Sequence, residues 1–201
     1  LIEELAGRLD RRAETATTVR LLLDGPPAAH PVALAERIAD ALRQWGRPVA
    51  VIRADGFWRN AALRLEYGHQ DVDAYADWLD AAALDREVLV PLGPGGTGRY
   101  LPSLIDPASN RATRVPALVA AAGTVVIVAG ELLLGRGLAA DVTIHLAVSA
   151  AARRRITPAN LAWTLPAFDR YDDQVRPTAV ADVVVRYDDP AHPAVAMRQE
   201  G

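Results

Sequence analysis

The chain has 201 residues, 51% of them hydrophobic, and a net charge of -3, which fits one large domain with its own core or two small ones. Such a balance offers no general basic field for nucleic acid or an anionic membrane surface, and no apolar run reaches membrane-spanning length. The chain has no cysteine, and all 22 of its basic side chains are arginine, so thiolate chemistry, disulfides, lysine Schiff bases and a phosphate-loop ammonium are all excluded.

Residues 2–16 are expected to form an amphipathic helix, and the charged start Leu1-Ile2-Glu3-Glu4 is no signal peptide, which fits a cytoplasmic protein. Val19–Leu23 is an apolar run stopped by Asp24-Gly25-Pro26-Pro27, as expected of a buried strand. Pro31 suits the first turn of the next helix. Leu34, Ile38, Leu42 and Trp45 share one face of that helix, and Gly46 ends it. Residues 48–52 are the second strand candidate, with Asp55, Gly56, Phe57 and Trp58 just beyond its carboxyl end. Residues 71–85 favour a helix with Tyr75, Trp78, Leu79 and Ala82 as its apolar stripe, and Val88–Val90 is a further strand candidate. Dense Pro and Gly punctuation follows, then an irregular excursion to about Arg114. Thr124–Val128 and Val142–Val148 are strands, a helix runs through Arg153–Arg155, another is expected from Asn160, and Ala181–Val185 closes the set.

Strand-like runs that alternate with helices predict an α/β domain with a mostly parallel sheet covered on both faces. Ligands bind such sheets beyond the carboxyl ends of the strands. That rule gathers Asp24–His30, Asp55–Trp58 and Ala129–Glu131 around one cleft.

The order of these segments resembles the uridine-kinase and phosphoribulokinase-like group of P-loop kinases over roughly residues 18–190. The likeness rests on strand–Gly25-Pro26-Pro27-Ala28-Ala29-His30-Pro31-Val32–helix, then strand–Asp55-Gly56-Phe57. It continues through Pro91-Leu92-Gly93-Pro94-Gly95-Gly96, Arg99-Tyr100, Ala129-Gly130-Glu131, Arg153–Arg155 and the last strand. The resemblance implies a P-loop kinase-like parallel sheet of about five strands in a single domain, 1–201. An acceptor or lid excursion would lie within 56–115 and a lid-like segment around 153–176. It implies that Asp55 positions the acceptor hydroxyl, that Arg99 and Tyr100 help hold the acceptor, and that Arg153, Arg154 and Arg155 cover phosphate.

A working phosphate loop reads GxxxxGK(S/T). In this chain Gly25 remains, but His30 replaces the second glycine, Pro31 the lysine and Val32 the hydroxyl residue. The close-approach glycine, the β/γ-phosphate contact and a magnesium ligand are lost together. Gly25, Ala28 and Ala29 retain a residual anion-binding role through the backbone and helix dipole. Ala129 stands where the family carries an acid, and Glu131 is either its substitute or a helix-start residue. Asp55 is a base candidate or a strand-end cap. His30 is an acid–base candidate or simply the mark of a lost phosphate site.

For the ligand, Phe57 and Trp58 offer stacking or core packing. Arg64, Tyr67, His69 and Asp71, before the helix that bears the further ligand candidate Tyr75, surround a polar molecule or decorate an exposed helix connection, and Arg99 and Tyr100 bind or anchor a loop. His145 reads as a packed or locally bonded strand residue, and His192 as a solvated one. The histidine spacing carries no metal signature, so no metal site is expected, and Ser103, Ser109 and Ser149 form no nucleophile elbow.

The resulting expectation is a divergent kinase-fold protein that binds a small polar or nucleoside-like molecule without ordinary ATP phosphotransfer, with no cofactor, no nucleic-acid or membrane partner, and scope for a homo-oligomer. Two alternatives stand beside it. One is an active nucleoside or small-molecule kinase, using ATP and Mg through a rebuilt phosphate site. The other is a non-catalytic interaction protein.

Overall fold

The computed structural model describes residues 1–189 and 193–197, so His192 lies outside the described residues. In chain order the helices are α1 (Ile2–Ala13), α2 (Pro31–Gln44), α3 (Ala61–Arg64), α4 (Val72–Ala76), α5 (Ala81–Leu84), α6 (Ala150–Ile156), α7 (Leu165–Gln174) and α8 (Pro177–Val180). The strands are β1 (Thr18–Asp24), β2 (Val49–Arg53), β3 (Arg99–Tyr100), β4 (Ile105–Asp106), β5 (Arg111–Ala112), β6 (Leu118–Val119), β7 (Thr124–Gly130), β8 (Val142–Ala147), β9 (Val183–Arg186) and β10 (Ala194–Met197).

Six strands form one sheet in the order β10-β9-β8-β1-β7-β2. The five from β9 to β2 pair in parallel, and β10 is antiparallel to β9. The expected five-stranded parallel sheet is therefore present, with one antiparallel edge strand added. β1 and β7 are almost wholly buried because both faces of the sheet are covered, which is why they read as continuous apolar runs. Their side chains alternate between two cores. Val19, Leu21 and Leu23 of β1, with Val125 and Ile127 of β7, meet Leu5, Leu9, Leu34, Ile38 and Leu42 of α1 and α2. Leu22, Val126 and Val128 face the opposite way, against Phe57, Leu84, Leu89, Leu133 and Phe168.

Two expected elements differ. The helix predicted over 71–85 is broken into α4 and α5. Asp71 caps the first through Asp73 and Ala74 N–H, and Asp80 caps the second through Ala83 N–H. Between them Leu79 bridges antiparallel to Trp58, so tertiary pairing overrides a continuous periodicity. The strand expected at Val88–Val90 is instead a π-helical turn, Asp85–Leu89, continuing from α5. Val88 and Leu89 are buried there while Val90, just past the turn, is exposed, a case that a short apolar run cannot separate from a strand. Among the described residues no helix is long and apolar enough to cross a membrane.

Candidate functional site

Register brings the site together. Asp24, the last residue of β1, sits beside Gly130 of β7 and His145 of β8, and Arg53 at the end of β2 sits beside Ala129. The carboxyl ends of four adjacent strands thus present Arg53, Gly130, Asp24 and His145 along one edge. Gly130 permits the next step. A Cβ there would lie 2.5 Å from Ala54 Cβ, so only glycine allows the 3-10 turn Ala54–Phe57 to lie against β7. That turn carries Asp55 towards Glu131.

A cleft of about 560 Å³ opens above this edge, bounded by His30–Ala33, Arg53–Asp55, Ala129–Glu131 and four aromatic residues, Trp58, Tyr75, Trp78 and Trp163. Its floor is acidic. Glu131 Oε1 accepts a 2.6 Å hydrogen bond from the Tyr75 hydroxyl, while Oε2 is shut from solvent without a partner. Burial pushes the Glu131 carboxyl up to about 7, and the negative charges of Asp24 and Asp55 add to the rise against the opposing hydrogen bond from Tyr75. Burial, with Glu131 alongside, also raises the Tyr75 phenol above its ordinary range. Asp55 is held by Arg53 through a two-point contact of 3.0 and 2.5 Å.

The walls are aromatic and mutually braced. Trp58 and Trp78 meet edge to face at 5.2 Å, Tyr75 and Trp78 at 4.9 Å, and Tyr75 and Trp163 at 5.2 Å, an arrangement that adds to simple area burial. Arg136 ties the α4 end to the Leu132 turn through the Leu132 and Ala76 carbonyls. Arg170 of α7 grips Asp73 and the Val72 carbonyl. These two arginines fix the short helix that carries Tyr75.

The loop from Gly25 to Val32 has its own hydrogen-bond pattern. Gly25 N–H donates to Gly130 O, Ala29 N–H to Pro26 O and His30 N–H to Pro27 O. Pro26, Pro27 and Pro31 carry no N–H. Ala28 and Val32 are the remaining backbone donors of the eight. The segment Pro27–Ala29 is a 3-10 turn, and His30, at φ 50° and ψ 54°, is left-handed. That is a conformation glycine adopts without cost and other residues rarely enter.

Beneath this loop lies a buried polar network that the sequence reading did not single out. Asp24 accepts from Leu133 N–H at 2.8 Å, from His145 Nδ1 at 2.7 Å and from the Tyr171 hydroxyl at 3.1 Å, and that hydroxyl in turn accepts from Leu134 N–H at 2.8 Å. Next to it, Arg153 of α6 is buried. It is paired with Asp169 at 2.7 Å and Asp172 at 2.9 Å of α7, and it lies over the Phe168 ring.

Of the residues expected to bind ligand, Asp55, Glu131, His30, Trp58 and Tyr75 line the cleft. Phe57 is fully buried in the core. Arg64 is buried, with its guanidinium 5.0 Å from the Trp58 ring centre and 4.7 Å from that of Trp78. It braces the wall without lining the cleft. Tyr67 and His69 are exposed, Arg99 lies on the short β3, and Tyr100 is buried beside it; none of the four borders the cleft. Gly25, Ala28 and Ala29 stay in the loop behind it, Arg153 is engaged with two carboxylates, and Arg154 and Arg155 face solvent. Trp78, Trp163 and Arg53 line the cleft without having been selected from the sequence. Trp78 was hidden in an apolar stripe, and Trp163 sits in a 3-10 segment with no motif around it.

No family model matches the chain, and no curated protein matches it by sequence. The fold is that of P-loop kinases of the uridine-kinase type. A possible uridine kinase from Bacillus stearothermophilus superposes with a TM-score of 0.68 at 19% identity, covering 90% of this chain and 98% of the other. A protein provisionally described as a fructose transport system kinase, from Silicibacter sp. TM1040, superposes with a TM-score of 0.60 at 21% identity, covering 90% and 95%. At these identities the likeness is one of fold.

Proposed function

We propose that this protein binds a small polar, ring-bearing molecule in the aromatic cleft and does not carry out ordinary ATP phosphotransfer. The observation that carries the reading is the contrast between two neighbouring places at the same sheet edge. One is a cleft with four aromatic walls and an incompletely bonded carboxylate at its base. The other is the loop that in this fold class would cradle a triphosphate.

The loop residues do not fit ATP and magnesium. Three of the eight positions are proline, and three more spend their N–H on nearby carbonyls, so the ring of donors that would wrap phosphate is reduced to Ala28 and Val32. No lysine exists in the chain, Val32 offers no hydroxyl to a metal, and Arg153 is already neutralised by two aspartates. Losing a single transition-state donor costs roughly 100–1,000-fold in rate, and several are missing here.

What the cleft's own residues can do is bind and position. The rings of Trp58, Tyr75, Trp78 and Trp163 offer stacking faces and edges to a planar group. Asp55 can accept from a hydroxyl. Glu131 is poised near neutrality and can hold or release a proton in the working pH range.

Calorimetric titration with uridine, adenosine and Mg–ATP tests the proposal. A nucleoside is expected to bind with a heat that does not require Mg–ATP and that is lost in Trp78→Ala. Tight magnesium-dependent ATP binding with rapid transfer of the γ-phosphate would overturn it.

A further inference from the structure

We propose that the aromatic cleft prefers, among ring-bearing ligands, those that carry a small organic cation, an ammonium or amidinium group. This inference rests on the reading that the cleft is a ligand site, and it adds the charge of the ligand.

The charges around the cleft are unequal. Its lining contributes two carboxylates, Asp55 and Glu131, and one guanidinium, Arg53. Arg53 is largely exposed and fully engaged with Asp55, so nothing cationic in the lining answers Glu131. Tyr75 from α4 gives Glu131 one hydrogen bond, but a phenol brings no charge. Asp24, from β1, is a further buried negative group facing it, and His30 sits exposed at the rim. A carboxylate held in such surroundings without a counter-charge is costly, and a cation in the cleft removes the cost.

The walls favour the same class of ligand. Cations are attracted to the faces of tryptophan and tyrosine, most strongly where water is excluded. Neighbouring rings among Trp58, Tyr75, Trp78 and Trp163 meet at steep angles, between 53° and 73°, so they are not stacked face to face on one another. Two of these rings already hold a cation. Arg64, outside the lining, rests on both Trp58 and Trp78, is buried, and makes its Nε–H bond to the Arg59 carbonyl. Among the described residues no carboxylate forms an ion pair with it. The wall therefore already holds one buried guanidinium between two of its rings and a backbone carbonyl, with no carboxylate paired to it, and the cleft side adds carboxylates to the same chemistry.

Benzamidine and benzamide share shape and ring and differ in charge, so they isolate this term. Both are titrated into the full chain at pH 8, by calorimetry and by tryptophan emission, alongside uridine and adenosine. Benzamidine is expected to bind at least tenfold more tightly than benzamide. That gap is expected to close in Glu131→Gln and to narrow in Asp55→Asn, each checked for native circular dichroism. Equal affinities, or a gap that survives both substitutions, would overturn the cationic ligand while leaving a ring-binding cleft in place. If neither pair of compounds perturbs the tryptophans or gives a binding heat, both the cation inference and the cleft reading fall.

Discussion

Asp24 shows how one residue can organise a sheet edge. Its carboxylate takes hydrogen bonds from a backbone N–H after β7, an imidazole on β8 and a phenol on α7, so three elements are keyed to the end of β1. Removing the acceptor strands all three donors in the interior, and Asp24→Ala is expected to cost about 3–5 kcal/mol, measurable by urea unfolding. Glu131 makes a prediction of opposite character. Its folded pKa of about 7 lies above the ordinary value of 4.5, so the native state holds its proton more tightly than the unfolded chain does. The associated stability is complete below pH 4.5 and is lost as pH rises through 7. At 1.36 kcal/mol per unit the loss is on the order of 3 kcal/mol. Glu131→Gln is expected to abolish it, so that the variant gains on the native protein between pH 5 and 8 in unfolding experiments. A parallel pH dependence in the two proteins would contradict the assignment. Asp24 and His145 were both visible in the sequence as polar residues at or inside apolar runs. Their partnership was not, because it depends on the β1–β8 register.

At the scale of elements, the loop between β1 and α2 and the turn after β2 decide what the edge can bind. That the loop carries His30, Pro31 and Val32, and neither a lysine nor a hydroxyl, is legible directly, since these are residue identities. Its closure on Pro26 O and Pro27 O is not, since that depends on a 3-10 turn and a left-handed His30. Restoring the motif in His30→Gly/Pro31→Lys/Val32→Thr is expected to raise magnesium-dependent ATP affinity at least tenfold over the native chain, read by equilibrium dialysis. A folded triple variant with no gain would show that the loop identities are not what keeps ATP out. After β2, Gly130→Ala would force Ala54 away from β7. A destabilisation of about 1–3 kcal/mol is expected, along with weakened binding in the cleft, because Asp55 moves with the turn. The break in the helix expected over 71–85 has a related cause. The antiparallel bridge from Leu79 to Trp58 is a long-range contact, and local periodicity carries no trace of it.

Across the whole molecule, the parallel sheet was the most legible feature, because strands buried on both faces announce themselves as unbroken apolar runs. The cleft was half legible. The rule that ligands sit beyond strand carboxyl ends gathers Asp55, Trp58, Glu131 and His30, all of which line the cleft, while the other aromatic walls come from α4, the segment after it and a 3-10 turn that only tertiary packing brings together. The proposed function depends on this division of the sheet edge into an aromatic, acidic cleft and a loop, Gly25–Val32, with two free backbone donors. Its most direct test follows labelled γ-phosphate from Mg–ATP in the presence of a nucleoside panel, with tryptophan emission recorded in the same samples. Emission is expected to change with a ring-bearing ligand while no label is transferred to it. Label transferred over many turnovers would contradict the proposed function.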